Sequence, residues 1–249
     1  MNIRKNLLNT QERGPMSIQE QILYEDKHII VLGKQAGQLS QPDKHNHPNL
    51  KTDLENYLIN SGQRKKTPFI GVIHRLDRPV GGVMVYGKTK EGTSALNKDL
   101  QEDGFKKEYL AIVKGIPSPS QATLKHTLLK NQRLNQSKVV AEGTPKSRSA
   151  HLDYEIINTA EHPIIGICSL LKVRLYTGRH HQIRLQFSTI GYPLVGDSKY
   201  GDKDHEAIGL YAYRLNLKIP FKNTRETFSQ LPSNPPFTLF DLSSLEKQL

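Results

Sequence analysis

Cysteine is all but absent. The single Cys168 can close no internal disulfide and build no cysteine zinc centre, which excludes a disulfide-stapled secreted scaffold. Long apolar runs are missing too. None approaches the ~18 residues of a membrane-crossing helix, and the first 20 residues hold no apolar signal-peptide segment. Acidic residues are in deficit, 24 against 35 Lys and Arg, so the formal net charge is +11 and the pI is near 9.6. The expectation is a soluble, cytoplasmic, basic protein with no membrane attachment. Its 249 residues suit one large domain or two small lobes around a shared core. A cationic surplus suits a polyanion partner without demanding one.

What is present reads as many strands and few helices. Residues 1–18 are polar and predict a loose N-terminal segment. Ile22–Leu32 predicts two short strands across a turn, and Thr52 with Glu55 has capping-box spacing ahead of a helix over 53–61. Phe69–Ile73 and Val83–Tyr86 are strand-like and bracket HRLDRPVGG (74–82), a charged, Pro-interrupted loop. Residues 93–102 predict a helix, and Glu108–Lys114 a strand. The stretch 130–148 carries five cations and one anion and is either a mobile loop or a basic hairpin. Further strand signals cover His151–Ile157, Ile164–Tyr176 and Leu210–Ile219. RHHQIRLQFSTI (179–190) reads as a helix, GDSKYGD (196–202) as a turn, and 242–249 as a short amphipathic segment. Strands that follow one another directly argue for an α+β fold with a mixed, mostly antiparallel sheet.

Four segments could carry chemistry. Gly82–Thr89 matches the phosphate-loop pattern GxxxxGK[ST], but its inner residues Val, Met, Val and Tyr compose a strand, so context contradicts an NTPase. Asp77 lies between Arg75 and Arg78 with His74 nearby. Such a carboxylate is a solvated surface group, or a nucleophile or stabiliser of cationic character at a sugar carbon if adjacent strands hold it rigid. On a helix, His180 and Arg184 would share a face. Adjacent His180 and His181 lack metal-ligand spacing, so no metal site is expected. Tyr109, entering a strand, is core or a ring on which a base can stack.

Taken together, ILYEDKHIIVLGKQAG (22–37), HRLDRPVGGVMVYGKT (74–89), KKEYLAIVKG (106–115) and TGRHHQIRLQFSTIGYPLVGDSKYG (177–201) resemble the catalytic domain of the RluA-type RNA pseudouridine synthases. The likeness covers roughly residues 20–220, and His74, where the related RsuA-type enzymes carry Gly, points to the RluA side. It implies the pseudouridine synthase fold, two lobes around a basic catalytic cleft. The implied division is a flexible segment over 1–18 and a catalytic domain over 19–249, with no accessory N-terminal RNA-binding domain.

The resemblance implies isomerisation of uridine in a tRNA or rRNA stem-loop. The C1′–N1 bond breaks, the uracil turns, and C1′–C5 forms, without a cofactor. It casts Asp77 as the essential carboxylate, Tyr109 as the ring that stacks on the uracil, and Arg184 as the cation paired with Asp77. Substrate contacts would come from His74, Arg75, Arg78, Arg179, His181, Gln182 and Ile183, with Arg75 filling the space of the extruded uridine. Arg64–Lys66 and 130–148 would meet phosphates. The chain departs from the family at KQAG (34–37), at His180 in place of a small or hydroxyl residue, and at LNLKIPF (215–221) in place of a His-Pro. A monomer is expected. The alternative is a non-catalytic RNA-binding or RNA-chaperone protein on the same fold.

Overall fold

Residues 29–34 set the logic of the architecture. Ile29 and Val31 face one way, Ile30 and Leu32 the other, and all are fully buried. A strand alternates its side chains, so this one must be covered on both faces. The computed structural model describes residues 16–63, 68–102, 104–201 and 206–246, and the strand lies in an eleven-stranded sheet. The strands are β1 (Ile22–Glu25), β2 (Ile29–Lys34), β3 (Gly71–Val72), β4 (Gly81–Gly87), β5 (Lys106–Lys114) and β6 (Gln121–Asn131). They continue as β7 (Gln136–Val140), β8 (Arg148–His162), β9 (Gly166–Leu175), β10 (Leu210–Lys218) and β11 (Arg225–Ser229).

The path is β1-β2-β4-β10-β5-β9-β8-β6-β7, with β3 on β4 and β11 on β10. Among the described residues one pairing, β4 with β10, is parallel and the rest are antiparallel. The two lobes of the sequence reading are thus halves of one continuous sheet, joined at β4-β10-β5.

Among the described residues five α-helices cover it: α1 (Ile18–Gln21), α2 (Leu50–Asn60), α3 (Lys90–Gln101), α4 (Gln182–Thr189) and α5 (Ser243–Glu246). On one face Leu50, Leu54 and Leu58 of α2 and Ile183 and Phe187 of α4 share a core with Leu32, Met84, Tyr109 and Ala111. On the other, Leu96 of α3 packs with Val31, Val85 and Leu217. Phe237, Phe240 and Leu245 of the C-terminal segment close over Leu110, Ile112 and Tyr213 there.

Several expectations shift. The N-cap of α2 is Asn49, whose side chain accepts from Thr52 N–H, so the helix starts before the expected Thr52. Thr89 caps α3 in the same way, so that helix starts at 90 and not 93. The strand expected over Phe69–Ile73 shrinks to β3. The 130–148 stretch is a hairpin, β6–β7, with β6 extending upstream of it. The phosphate-loop look-alike is β4, buried along its whole length, and Lys88 is spent on Glu25, the Asp26 carbonyl and Gln63. Of the segment expected to be loose, residues 1–15 lie outside the described residues, while Ser17 caps α1 through a capping box. Arg64–Lys66 also lie outside the described residues. No described helix is long and apolar enough to cross a membrane.

Gly82 makes the central junction possible. Its φ is +126°, and a Cβ there would lie 2.2 Å from the Ala212 carbonyl oxygen, so a side chain would force β4 from β10. Gly82→Ala is expected to lower stability by about 3 kcal/mol or more, read from the midpoint of urea unfolding.

Candidate active site

The loop 74–80 between β3 and β4 is fastened from beneath at alternate positions. Ser40 Oγ donates to the Leu76 carbonyl at 3.1 Å and accepts from Leu76 N–H at 3.3 Å. Lys34, at the end of β2, is fully buried and its Nζ donates to the carbonyls of Gln35, Arg78 and Val80 at 3.1, 3.1 and 2.6 Å. Burial pulls the Lys34 ammonium down to about 7, and the Asp77 charge opposes that pull. The ends of the loop being tied down, Asp77 projects its carboxylate outward, 30% exposed.

The facing wall is built by residues 177–184. Gln182 Oε1 accepts from Thr177 Oγ1 at 2.8 Å and Arg179 N–H at 3.0 Å, while its Nε2 donates to the His151 carbonyl at 3.1 Å. Arg179 Nε donates to the Ser149 carbonyl at 2.9 Å. His181 takes a left-handed backbone, φ 54°, at the N-cap of α4. The helix therefore begins at Gln182 and not at 179, and His180 lies before it, so the shared helical face expected for His180 and Arg184 does not form. Gln182 through Phe187 are all buried, so the first six residues of α4 present no solvent face, and the helix meets solvent only at its C-terminal end, at Thr189.

Arg184, 4% exposed, is charged inside this core and must be paired. Its Nε and Nη2 grip Asp197 Oδ2 and Oδ1 at 2.8 and 2.7 Å. The remaining Nη1 reaches Asp77 Oδ2 at 3.1 Å. Asp197 is fully buried, and Lys199 and Tyr200 N–H also donate to its Oδ1 at 3.0 and 3.2 Å. Burial alone would raise the Asp197 carboxyl, but Arg184 and these amides outweigh it and hold the group below its ordinary value. Burial is likewise the largest influence on Arg184, and it too is outweighed by its two carboxylates, which raise the guanidinium.

These groups surround a cleft of about 90 Å³, lined by Arg75, Asp77, Tyr109, Arg179, His181 and Arg184, over a floor of Val80, Leu175, Ile183 and Leu210. That is room for about three waters. Burial, and then the charge of Asp77, push the Tyr109 phenol upward. His181 Nε2 stands 3.6 Å from Asp77 Oδ2. Burial pulls His181 down to about 4.

Of the sequence-derived residues, Asp77, Tyr109, Arg184, Arg75, Arg179, His181, Gln182 and Ile183 meet at this cleft. His74 and Arg78 do not line it. His74 Nε2 accepts from Val85 N–H at 3.2 Å and its ring meets Phe105 edge-on, so it braces β4, with burial taking its imidazole down to about 3. Arg78 turns outward and Nε donates to the Gly37 carbonyl at 3.1 Å. Asp197 escaped the sequence reading. The signal for it was Arg184 itself, since a buried guanidinium needs a second carboxylate once Asp77 must stay exposed. Among the described residues no group of three or more His, Cys, Asp and Glu side chains gathers as metal ligands.

Residues 28–189 match a family model described as RNA pseudouridylate synthase. The chain is 31% identical over 204 residues to ribosomal large subunit pseudouridine synthase D of Zymomonas mobilis subsp. mobilis, covering 78% of this chain and 60% of that protein. It is 33% identical over 197 residues to synthase D of Nitrosomonas europaea, covering 78% and 53%. With ribosomal large subunit pseudouridine synthase C of Salmonella typhi it shares 30% over 188 residues, covering 74% and 54%. The match spans little more than half the length of these relatives. Two solved human structures, RNA pseudouridylate synthase domain containing 1 and 4, share the fold with TM-scores of 0.71 and 0.72 at 20% and 19% identity. They cover 95% and 92% of this chain, and 97% and 94% of their own.

Two outcomes are expected. Asp197→Ala strands a buried guanidinium and should cost about 3–5 kcal/mol, measured by chemical unfolding. Acid should weaken the fold through His181. The unfolded imidazole takes up its proton near pH 6.5, whereas the folded one does so only at about 4. The folded state therefore binds fewer protons between these values, and stability falls as pH drops through that window. Calorimetric Tm should fall from about pH 6.5 to 4, and His181→Asn should flatten that slope.

Proposed function

The chain belongs to the RNA pseudouridylate synthase family, and from that premise we propose that it converts specific uridines to pseudouridine in structured RNA. Ribosomal RNA is the favoured substrate, because the curated relatives are named for the large ribosomal subunit; a transfer RNA stem-loop is the other candidate. The enzyme works as a monomer in the cytoplasm.

The observation that carries this reading is the carboxylate of Asp77, aimed outward into a cationic cleft with Arg184 Nη1 at 3.1 Å and Tyr109 beside it. The target uridine must leave its stack to reach such a recess, at a cost of a few kcal/mol. Stacking on an aromatic ring returns about 1–3 kcal/mol, and Tyr109 supplies that ring. Arg75, exposed on the rim, occupies the space the base leaves. Asp77 then assists departure of N1 from C1′, and the freed uracil, held against Tyr109, turns to offer C5. The C1′–C5 bond forms and the C5 proton passes to solvent while N1 gains one. Atoms balance between substrate and product, so the residues above suffice. Arg184 keeps the carboxylate aimed, and Asp197 keeps Arg184 aimed.

The RNA would be gripped through phosphates by exposed cations on the hairpin, Lys130, Arg133 and Lys138 among them. Binding should weaken as salt rises, and Arg133→Ala should reduce the slope of log K against log salt by about 1 if it holds one phosphate.

The deciding test is Asp77→Asn with large-subunit rRNA transcripts carrying tritium at uridine C5. Tritium release should disappear while filter binding of the transcript stays within about twofold, a change under ~0.5 kcal/mol. Undiminished release from Asp77→Asn would remove Asp77 from the reaction. Binding by the wild-type chain with no release from any cellular RNA would favour a non-catalytic RNA-binding protein instead.

A further inference from the structure

We infer that Tyr200 is a positioning residue: its hydroxyl fixes the tautomer of His181 and so presents the imidazole Nε2–H to the Asp77 carboxylate. The inference follows from counting protons. A phenol has one proton to give and lone pairs to receive with. Ser137 N–H donates to the Tyr200 hydroxyl at 2.7 Å, occupying it as an acceptor. Among the described residues the acceptor within reach of its own proton is His181 Nδ1, 2.8 Å away. A ring nitrogen that accepts is bare in the neutral imidazole, so the ring proton sits on Nε2. Nε2 is the atom facing Asp77 Oδ2 at 3.6 Å. That exceeds a hydrogen bond, and such contacts tighten when substrate closes the site.

The ring has no freedom to turn away. His180 stacks on one side, centroids 3.7 Å apart and planes 26° apart, and Tyr200 meets it edge-on at 5.5 Å. His180 is itself held by Ser137 Oγ at 3.0 Å and Asn135 Oδ1 at 3.1 Å. The charged and titratable groups around His181 are Asp77, which favours its protonation, and Arg184, His180 and Lys199, which oppose it; burial is the largest opposition. The ring is neutral at pH 7, which is why its tautomer matters. Ser137 lies in β7, so hydrogen bonds link the basic hairpin through Tyr200 to His181, whose Nε2 faces Asp77. The catalytic consequence of this link rests on the Asp77 reading above; its structural content does not.

Tyr200→Phe is a clean probe. The Arg184 guanidinium lies 5.5 Å from the centre of the Tyr200 ring, and Phe keeps that contact while removing the hydroxyl. The experiment is two-bond 1H–15N correlation on the full chain labelled at histidine nitrogens, with His181 assigned by its loss in His181→Asn. The wild type at pH 7 should show His181 with its proton on Nε2 alone. Tyr200→Phe should admit the Nδ1–H form and move the His181 midpoint upward toward the ordinary histidine value, because a donor that favours the neutral ring is gone. Asp77→Ala should leave the Nε2–H form in place, since Tyr200 decides it. A wild-type Nδ1–H tautomer overturns the inference without any variant. A pure Nε2–H form in Tyr200→Phe, or its loss in Asp77→Ala, overturns it too. Tritium release from the Asp77→Asn enzyme bears on the function alone and leaves this spectrum unaffected.

Discussion

One guanidinium organises the molecule. Arg184 carries more hydrogen-bonding directions than a single carboxylate can use, and the structure divides them. Two go to a fully buried aspartate, one to a partly exposed aspartate that lines the cleft. The division solves a conflict. A charge buried this deeply needs an equally buried partner, but a reactive carboxylate must stay open. By satisfying Arg184 with Asp197, the fold leaves Asp77 both oriented and accessible. An Arg is required for this, because an ammonium has no planar fork to share between two acceptors.

The rest of the architecture exists to bring three chain segments to that guanidinium. The loop carrying Asp77 is tied down by Lys34 and Ser40 from β2 and the segment after it. The helix bearing Arg184 is buried from Gln182 to Phe187, so its orientation is set by packing. The turn bearing Asp197 and Tyr200 follows that helix and docks the basic hairpin through Ser137. Proposed RNA grip and proposed chemistry thus share one hydrogen-bonded framework.

Much of this was readable in the chain. The strand-rich pattern, the charged loop between two apolar strands, and the segments resembling pseudouridine synthases located Asp77, Tyr109 and Arg184. What escaped did so for physical reasons. Asp197 and Tyr200 sit in a turn whose partners lie across a tertiary contact, and helical or strand periodicity carries no such information. The start of α4 was misplaced because His181 adopts a left-handed backbone, which is rare outside glycine. β6 was missed since its inward row, Ala122, Leu124, His126 and Leu128, is broken by a histidine that hydrogen-bonds Gln186. His74, charged in appearance and placed beside Asp77, is a neutral brace, a role visible only once Phe105 and Val85 are beside it.

The parallel seam between β4 and β10 has a bearing on how such a protein matures. Gly81 and Gly82 pair with Tyr211 and Ala212, so the strand that follows the Asp77 loop finds its neighbour only 130 residues further along. Contacts this distant in sequence close late and slowly. During translation β4 emerges lacking one edge partner, and the cleft floor of Val80, Leu175 and Ile183 stays incomplete until Leu210 arrives. The cleft around Asp77 is therefore completed only once β10 has been made, and a truncation before β10 would leave β4 with an open edge that chaperones can bind.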